Sequence, residues 1–346
     1  MHARVVCFVV VAIITAGCVD LDSAAEAIIG DSRGVAAGPP APAVSGETNA
    51  ESRLVNGNLT VNFLDVGQGD ATLWQLPDGR IVIYDCGPAV DSAQDSPVVA
   101  ALERLGHPRG SPIALLIASH GHLDHIGGCE EVLAHYDVEH VVDYGYQGDD
   151  APRSYRRFVA DVDASGARVT RLSQGATWPT PEAPLDLMPT PGGATIEVLW
   201  PEAPVETWDD IARASLVVRL GFGQATFCFQ GDIEHAQERR LTQRLGAAAA
   251  CDVYLVGHHG SRHASDATWL AALEPRLAVV SFGANSYGHP TSEALCRVQT
   301  AGANVLATHR QGDIAIASRD GASPLIVVGK AEWIDYCDAG ADYWVP

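Results

Sequence analysis

From residue 60 onward, short apolar runs alternate with turn residues in a pattern that predicts strands before it predicts anything else. Thr60 to Asp65, Asp70 to Leu76 and Arg80 to Asp85 read as strands, with Pro77-Asp78-Gly79 as the turn of an antiparallel opening. Ile113 to Ala118 is continuously apolar, as expected of a strand covered on both faces, and the Gly-rich stretch after it leads into a predicted helix from Ile126 to His135. Prolines 179, 181, 184, 189 and 191 mark residues 173–209 as a long loop that could border a substrate cleft, before a strand from Thr195 to Leu199. The grammar then repeats. Strands are predicted at Ser215 to Leu220, Ala225 to Phe229, Asp252 to Val256, Leu277 to Ser281, Asn304 to Thr308 and Asp313 to Ala317. Helices are predicted at Glu234 to Leu245, Ala267 to Leu273 and Ser292 to Ala301. Mixed sheets flanked by helices follow, an α/β class, with one large domain or two fused halves both open.

The first residues carry a different pattern. Arg4, the apolar run Val5 to Ile14 and the small-residue exit Thr15-Ala16-Gly17-Cys18 read as an export signal too short to span a bilayer. Ala-Gly-Cys resembles the bacterial lipobox, which implies acylation at Cys18 and attachment to a membrane. Residues 19–55 are rich in Ala, Gly, Pro, Ser and acidic residues without periodicity and are expected to be a flexible tether. This sets the expected organisation: a signal at 1–18, a tether at 19–55, a folded α/β domain at 56–330 and a C-terminal tail at 331–346.

Charge and cysteines narrow the setting. The 22 basic and 43 acidic residues give a formal charge of −21, which repels polyanions at long range unless a local basic surface overrides it. Of eight cysteines, Cys86, Cys129, Cys228, Cys251, Cys296 and Cys337 lie beyond Cys18, with no CxxC spacing, and an exported chain can pair them. Cys296 with Cys337 is the pair the sequence suggests; the remaining connectivity is open.

The residues with the most specific chemistry follow the apolar run: Ser119-His120-Gly121-His122-Leu123-Asp124-His125. If the backbone stays extended, His120 and His122 project to one side, while Asp124 and His125 fall on the turn into the helix and can face a second point. Imidazole nitrogens with carboxylate oxygens suit zinc and its first-row neighbours, so one loop can serve two ions.

The His-x-His-x-Asp-His string is similar to the hallmark of the metallo-β-lactamase superfamily, whose other stations follow in order. Asp85 matches a strand-end Asp that orients the metal loop, Gly231-Asp232 the carboxylate that bridges both ions, and Gly257-His258-His259-Gly260-Ser261 the last metal station. Counting back from Gly260 favours His259 as ligand and places His258 nearer the substrate, with the reverse assignment open. A third histidine, often found ahead of the strand that begins here at Ser215, is absent from Asp209-Asp210-Ile211-Ala212-Arg213-Ala214. Together with Asn62 to Ala71, Ser215 to Leu220 and Asn285-Ser286-Tyr287-Gly288-His289-Pro290, these motifs resemble the ComEC-type hydrolase domain over about residues 58–320. ComEC proteins often carry Asn ahead of the Ser-Leu-Val segment, and Ala212 to Ala214 lack it.

The resemblance implies a four-layer αββα sandwich and two divalent metal ions, zinc or manganese. It implies Asp124, His125, Asp232 and His259 around the better-furnished site, and His120, His122 and Asp232 around a weaker one. Asp124, Asp232, His258 and His289 are the implied catalytic set, with Tyr287 beside His289 in the pocket. The implied substrate is a phosphodiester or phosphoester, DNA among them, approached through Arg213 and Arg262. Two other readings fit: an envelope esterase similar to phosphorylcholine esterase, and a degenerate hydrolase kept as a tethered binding module. Gly-x-Ser-x-Gly occurs only at Gly30 to Gly34, inside the expected tether and not after a predicted strand, and the missing histidine argues against β-lactam hydrolysis.

Overall fold

Side chains along each central strand alternate between two apolar layers, which is why the strands read as unbroken hydrophobic runs. Val82, Tyr84, Leu115 and Ile117 face one core, while Ile81, Ile83, Leu116 and Ala118 face another. The computed structural model describes residues 27–29, 57–90, 95–146, 151–172, 185–186, 193–201, 211–319, 321, 325–328 and 335–337.

Among the described residues the first sheet has nine strands, ordered Ala27–Ile29, Leu325–Val328, Ile314–Arg319, Asn58–Phe63, Ala71–Gln75, Ile81–Cys86, Leu115–Ile117, His140–Asp143 and Arg168–Arg171. The second has seven, ordered Leu185–Asp186, Ala194–Trp200, Val217–Phe222, Ala225–Phe229, Val253–Leu255, Leu277–Val280 and Asn304–Ala307. Each begins antiparallel and ends parallel. The sheets pack face to face through Leu59, Val61, Phe63, Trp74, Tyr84, Val218, Leu220 and Phe229. Phe229 sits at the centre of this layer, its ring 4.5 Å from Trp74 and 5.2 Å from Tyr84. Helices Pro97–Arg104, Cys129–His135 and Arg153–Ser165 cover the outside of the first sheet, and His235–Leu245, Ala267–Leu273 and Ser292–Thr300 cover the second. This is the expected four-layer αββα sandwich.

Three differences from the sequence expectations have local causes. The helix foreseen from Ile126 to His135 is broken into Leu123–Ile126 and Cys129–His135, because the Asp124 carbonyl accepts the Asp70 N–H and the Gly128 N–H donates to the Gly87 carbonyl, so the helical bond between residues 124 and 128 is not made. The strand expected from Ser215 starts instead at Val217, since Ser215 turns its hydroxyl to the Ala212 carbonyl and Leu216 N–H bonds to the Ser119 carbonyl. Within 331–346, Tyr336 is buried against the second helical layer and Cys337 is bonded to Cys296, so residues 335–337 pack onto the domain. The expected Cys296–Cys337 disulfide is present, joined by Cys86–Cys129 and Cys228–Cys251. The signal, most of the 19–55 segment, and most of the 173–209 loop lie outside the described residues, although Ala27–Ile29 pairs with Leu325–Val328.

Candidate metal centre

The chemistry-bearing loops leave the sheets at the carboxyl ends of parallel strands, where the two sheets open at one edge. Strand Ile81–Cys86 delivers Asp85, Leu115–Ile117 the His120 loop, Ala225–Phe229 Asp232, Val253–Leu255 the His258-His259 turn, and Leu277–Val280 the segment from Ser281 to His289. This edge is where α/β sheets generally hold ligands.

Asp85 orients the metal loop. It is fully buried with a left-handed backbone (φ 56°), and its carboxylate accepts the Ser119 N–H at 2.7 Å, the Ser119 hydroxyl at 2.6 Å and His125 Nδ1 at 2.8 Å. A carboxylate only accepts, so Nδ1 of His125 carries the proton and Nε2 is turned to the centre. Ser119 Oγ, its own proton given to Asp85, lies 3.1 Å from His120 Nδ1, which likewise leaves His120 Nε2 for a ligand.

Asp232 stands between two groups of donors. Its Oδ1 lies 3.3 Å from His125 Nε2 and 3.8 Å from His259 Nε2, while Oδ2 lies 3.6 Å from His120 Nε2 and 3.7 Å from His258 Nε2. Donor atoms of Asp70, His125, Asp232 and His259 fall within 4.8 Å of one another, as do those of His120, His122 and Asp232. His120 Nε2 and His122 Nδ1 are 3.0 Å apart. Asp124 reaches the first group, its Oδ2 3.4 Å from His259 Nε2.

Asp70 is the residue that sequence reasoning left unassigned. It stands in Val-Gly-Gln-Gly-Asp and reaches the centre because Gly69 packs directly on the Asp124 carbonyl, where any side chain would overlap it. Asp70 N–H donates to that same carbonyl at 3.1 Å, and Asp70 Oδ1 lies 3.4 Å from His259 Nδ1. The aspartate was visible in the sequence, but this contact across loops was not.

His258 and His259 both adopt left-handed backbone, at φ 49° and 50°, a conformation that non-glycine residues occupy at a cost. The turn is held from several sides. His258 N–H bonds to the Gly231 carbonyl, His259 Nδ1 donates to the Ser281 carbonyl at 3.1 Å, and Gly257 packs so tightly on the Gln230 side chain that a Cβ would overlap it. Gln230 is fixed in turn by Glu238 and Trp269. The two histidines therefore point differently. His259 is buried with the first donor group, and His258, partly exposed, faces Asp232 and Glu234 from the pocket side.

Buried carboxylates dominate the electrostatics of the centre. Burial opposes charge on His125 and His259, yet Asp232 with Asp85 and Asp70 with Asp232 outweigh it, raising His125 well above the imidazole range and His259 to about 10. Burial raises and the surrounding histidines more strongly lower Asp232, which stays ionised. His120 is pushed the other way, kept neutral by burial and by the neighbouring His125. Burial and the charges of His258 and His259 lower His289 to about 4, so it too is neutral at physiological pH. Both oxygens of Asp70, Asp232 Oδ1, His125 Nε2 and His259 Nε2 are buried without a hydrogen-bond partner. Such atoms are costly unless something bonds them, and a divalent cation fits this donor set.

Of the sequence-assigned residues, His122, Asp124, Asp232, His258, His259, Tyr287 and His289 line one pocket of about 310 Å³ together with Gln68, and His120 and His125 adjoin it through Asp232. Tyr287 is 72% exposed at its rim, its ring 6.3 Å from that of His289. Where the superfamily often has a third histidine, Ala212 and Ala214 are buried beside Arg213, so the His120 group has no further imidazole there. Arg262 is exposed and its charge reaches His289; that of Arg213 reaches Glu234.

Comparison with known proteins matches residues 64–284 to the Metallo-beta-lactamase superfamily. ComE operon protein 3 of Bacillus subtilis (strain 168) is 26% identical over 270 residues, covering 73% of this chain and 32% of that protein. Competence protein ComA of Neisseria gonorrhoeae is 29% identical over 254 residues, covering 73% of this chain and 31% of that one. The chain thus matches only about a third of these relatives' length. Among solved structures, CmlA, a diiron beta-hydroxylase from Streptomyces venezuelae, superposes with a TM-score of 0.45 at 16% identity, covering 75% of this chain and 54% of its own. The match spans most of the sandwich and takes in the stations from Asp70 to His259, and the chain belongs to the metallo-β-lactamase superfamily, with ComEC-type proteins among its relatives.

Proposed function

We propose that this chain hydrolyses phosphoester bonds, phosphodiesters foremost, with two divalent ions, and that DNA is its first candidate substrate. The observation that carries the reading is Asp232, whose two oxygens face two different donor groups at the floor of one pocket. Asp70, Asp124, His125, Asp232 and His259 would hold one ion; His120, His122 and Asp232 the other, more weakly for want of a third imidazole. Two such ions lower the pKa of water and offset the charge that develops on phosphoryl oxygens. The chain's own residues do the rest. Asp85 fixes the His125 ring, His258 and His289 line the pocket where substrate would sit, and against the burial of His258 the charge of Asp232, then Glu234, raises the basicity of that ring.

The DNA assignment draws on the competence proteins among the relatives, while the net charge of −21 pulls against it. Cleavage of DNA would need the local cations Arg213 and Arg262, and its rate at limiting substrate is expected to fall as salt rises. The acidic surface favours a second reading, a small or zwitterionic ester such as a phosphorylcholine ester. The experiment compares single-stranded DNA, a simple phosphodiester and a phosphorylcholine ester with manganese or zinc at low and moderate salt. Salt-sensitive cleavage of DNA supports the first reading, and turnover of the choline ester with DNA intact supports the second. Fully metal-loaded protein that cuts none of them would leave the binding module.

We further propose that the chain is exported and held at the envelope through acylation of Cys18. Replacing Cys18 by Ala is expected to move the protein from the membrane fraction to the soluble fraction. Unchanged membrane association and mobility would contradict the anchor.

A further inference from the structure

The wall of the pocket formed by Gln68 and the 283–289 loop is organised around one side-chain amide. Asn285 Oδ1 accepts three backbone N–H groups, from Tyr287 at 3.0 Å, Gly288 at 3.1 Å and His289 at 3.3 Å. Because only the oxygen can accept, this fixes which end of the Asn285 amide is which. Its Nδ2, with two hydrogens to give, lies within donating distance of three acceptors, the carbonyls of Gly283 and His289 and, at 2.8 Å, Oε1 of Gln68. Gly283 N–H points at the same Oε1 from 3.4 Å. The orientation of the Gln68 amide is thereby set in turn, and its Nε2 is the end left over.

That nitrogen is buried and has no hydrogen-bond partner among the described residues. Gln68 lines the pocket with Asp232, His258 and His289, and His289 Nδ1 is likewise buried without a partner. An amide nitrogen can only donate, and a buried donor without an acceptor is unfavourable, so its position calls for an oxygen on whatever fills the pocket. None of the metal-ligand motifs required Gln68; its neighbours Gly67, Gly69 and Asp70 give the loop its path, and the amide is free to do something else.

We propose that Gln68 is a substrate-contacting residue, its Nε2 donating to a non-bridging phosphoryl oxygen of the bound ester, with Asn285 as the positioning residue that aims it. The inference rests on the phosphoester reading above and names a group that makes the site selective for tetrahedral oxyanions.

Two variants of the metal-loaded full chain separate the roles of the amide. Gln68→Glu keeps an Oε1 acceptor for Asn285 and Gly283 but replaces the donor by a charged acceptor; Gln68→Met removes donor and acceptor without adding charge. Inhibition by inorganic phosphate and KM for a simple phosphodiester are measured beside metal content and melting temperature. Phosphate inhibition is expected to weaken roughly tenfold or more in both variants, as loss of one hydrogen bond to a charged group implies, with metal content unchanged. The loss should be greater for Gln68→Glu, which should also keep the parent's melting temperature. If Gln68→Glu melts early, Gln68→Met alone decides. Phosphate inhibition within twofold of the parent in Gln68→Met overturns the inference while leaving the hydrolase reading intact, even if Gln68→Glu is weakened by its charge. A metal-loaded parent that neither cleaves the diester nor binds phosphate overturns the phosphoester reading itself, and this inference with it.

Discussion

Replacing Asp232 by Ala should lower turnover by roughly a thousandfold or more, the scale of several kcal/mol of transition-state stabilisation from paired metal ions. Asp232 is the one side chain shared by both donor groups, so its loss weakens both at once, where His122→Ala would weaken one. The fold should survive. The carboxylate lies between histidines rather than in an apolar core, its Oδ1 has no hydrogen-bond partner among the described residues, and its backbone N–H keeps the Ser215 hydroxyl. Steady-state rates, metal content and a melting curve on the same preparation check the claim. A variant that keeps more than a tenth of the parent rate would show that the reaction does not run between the two groups.

Asp85→Asn should reduce metal affinity at the His125 site by about 10–100-fold while leaving the His120 site less affected. The substitution is nearly isosteric, and Asn accepts the left-handed backbone found there (φ 56°). Its effect comes through the proton on His125. An amide with Oδ1 kept on the Ser119 N–H turns its NH2 toward His125 Nδ1 and the Ser119 hydroxyl, where Asp85 offers acceptors. His125 then favours the tautomer protonated on Nε2, the nitrogen a metal needs. Chelator competition on parent and variant reads the change. Equal affinity in both would mean that Asp85 merely terminates a strand.

The stations were legible in sequence because each lies in a short string directly after a parallel strand, so that one local motif carries both the strand end and the ligand. His120 to His125, Asp232 and His259 all follow this rule. Asp70 and Gln68 do not, since their positions depend on Gly69 meeting the Asp124 carbonyl and on Asn285 reaching across 217 positions. Two disulfides escaped for the same reason: Cys86–Cys129 and Cys228–Cys251 are fixed by how layers stack. The helix Arg153–Ser165 was not read from the sequence, because its buried stripe is only Tyr155, Phe158 and Val162 on an otherwise polar helix. Strand His140–Asp143 was too short to separate from the turn residues around it. The break at Gly127-Gly128 was missed, since the expected helix runs through both glycines, and its cause, the Asp70 N–H on the Asp124 carbonyl and the Gly128 N–H on the Gly87 carbonyl, is tertiary.

Metal content under graded chelator tests the two-site centre most directly. Full-length protein purified with manganese or zinc should carry two ions per chain, lose one at low chelator and hold the other until much higher concentration. Its melting temperature should drop as the tighter ion leaves, because the ion binds only the folded chain. Two ions released together would contradict the inequality of the His120 and His125 groups, and protein that binds no metal at all under these conditions would contradict the centre itself.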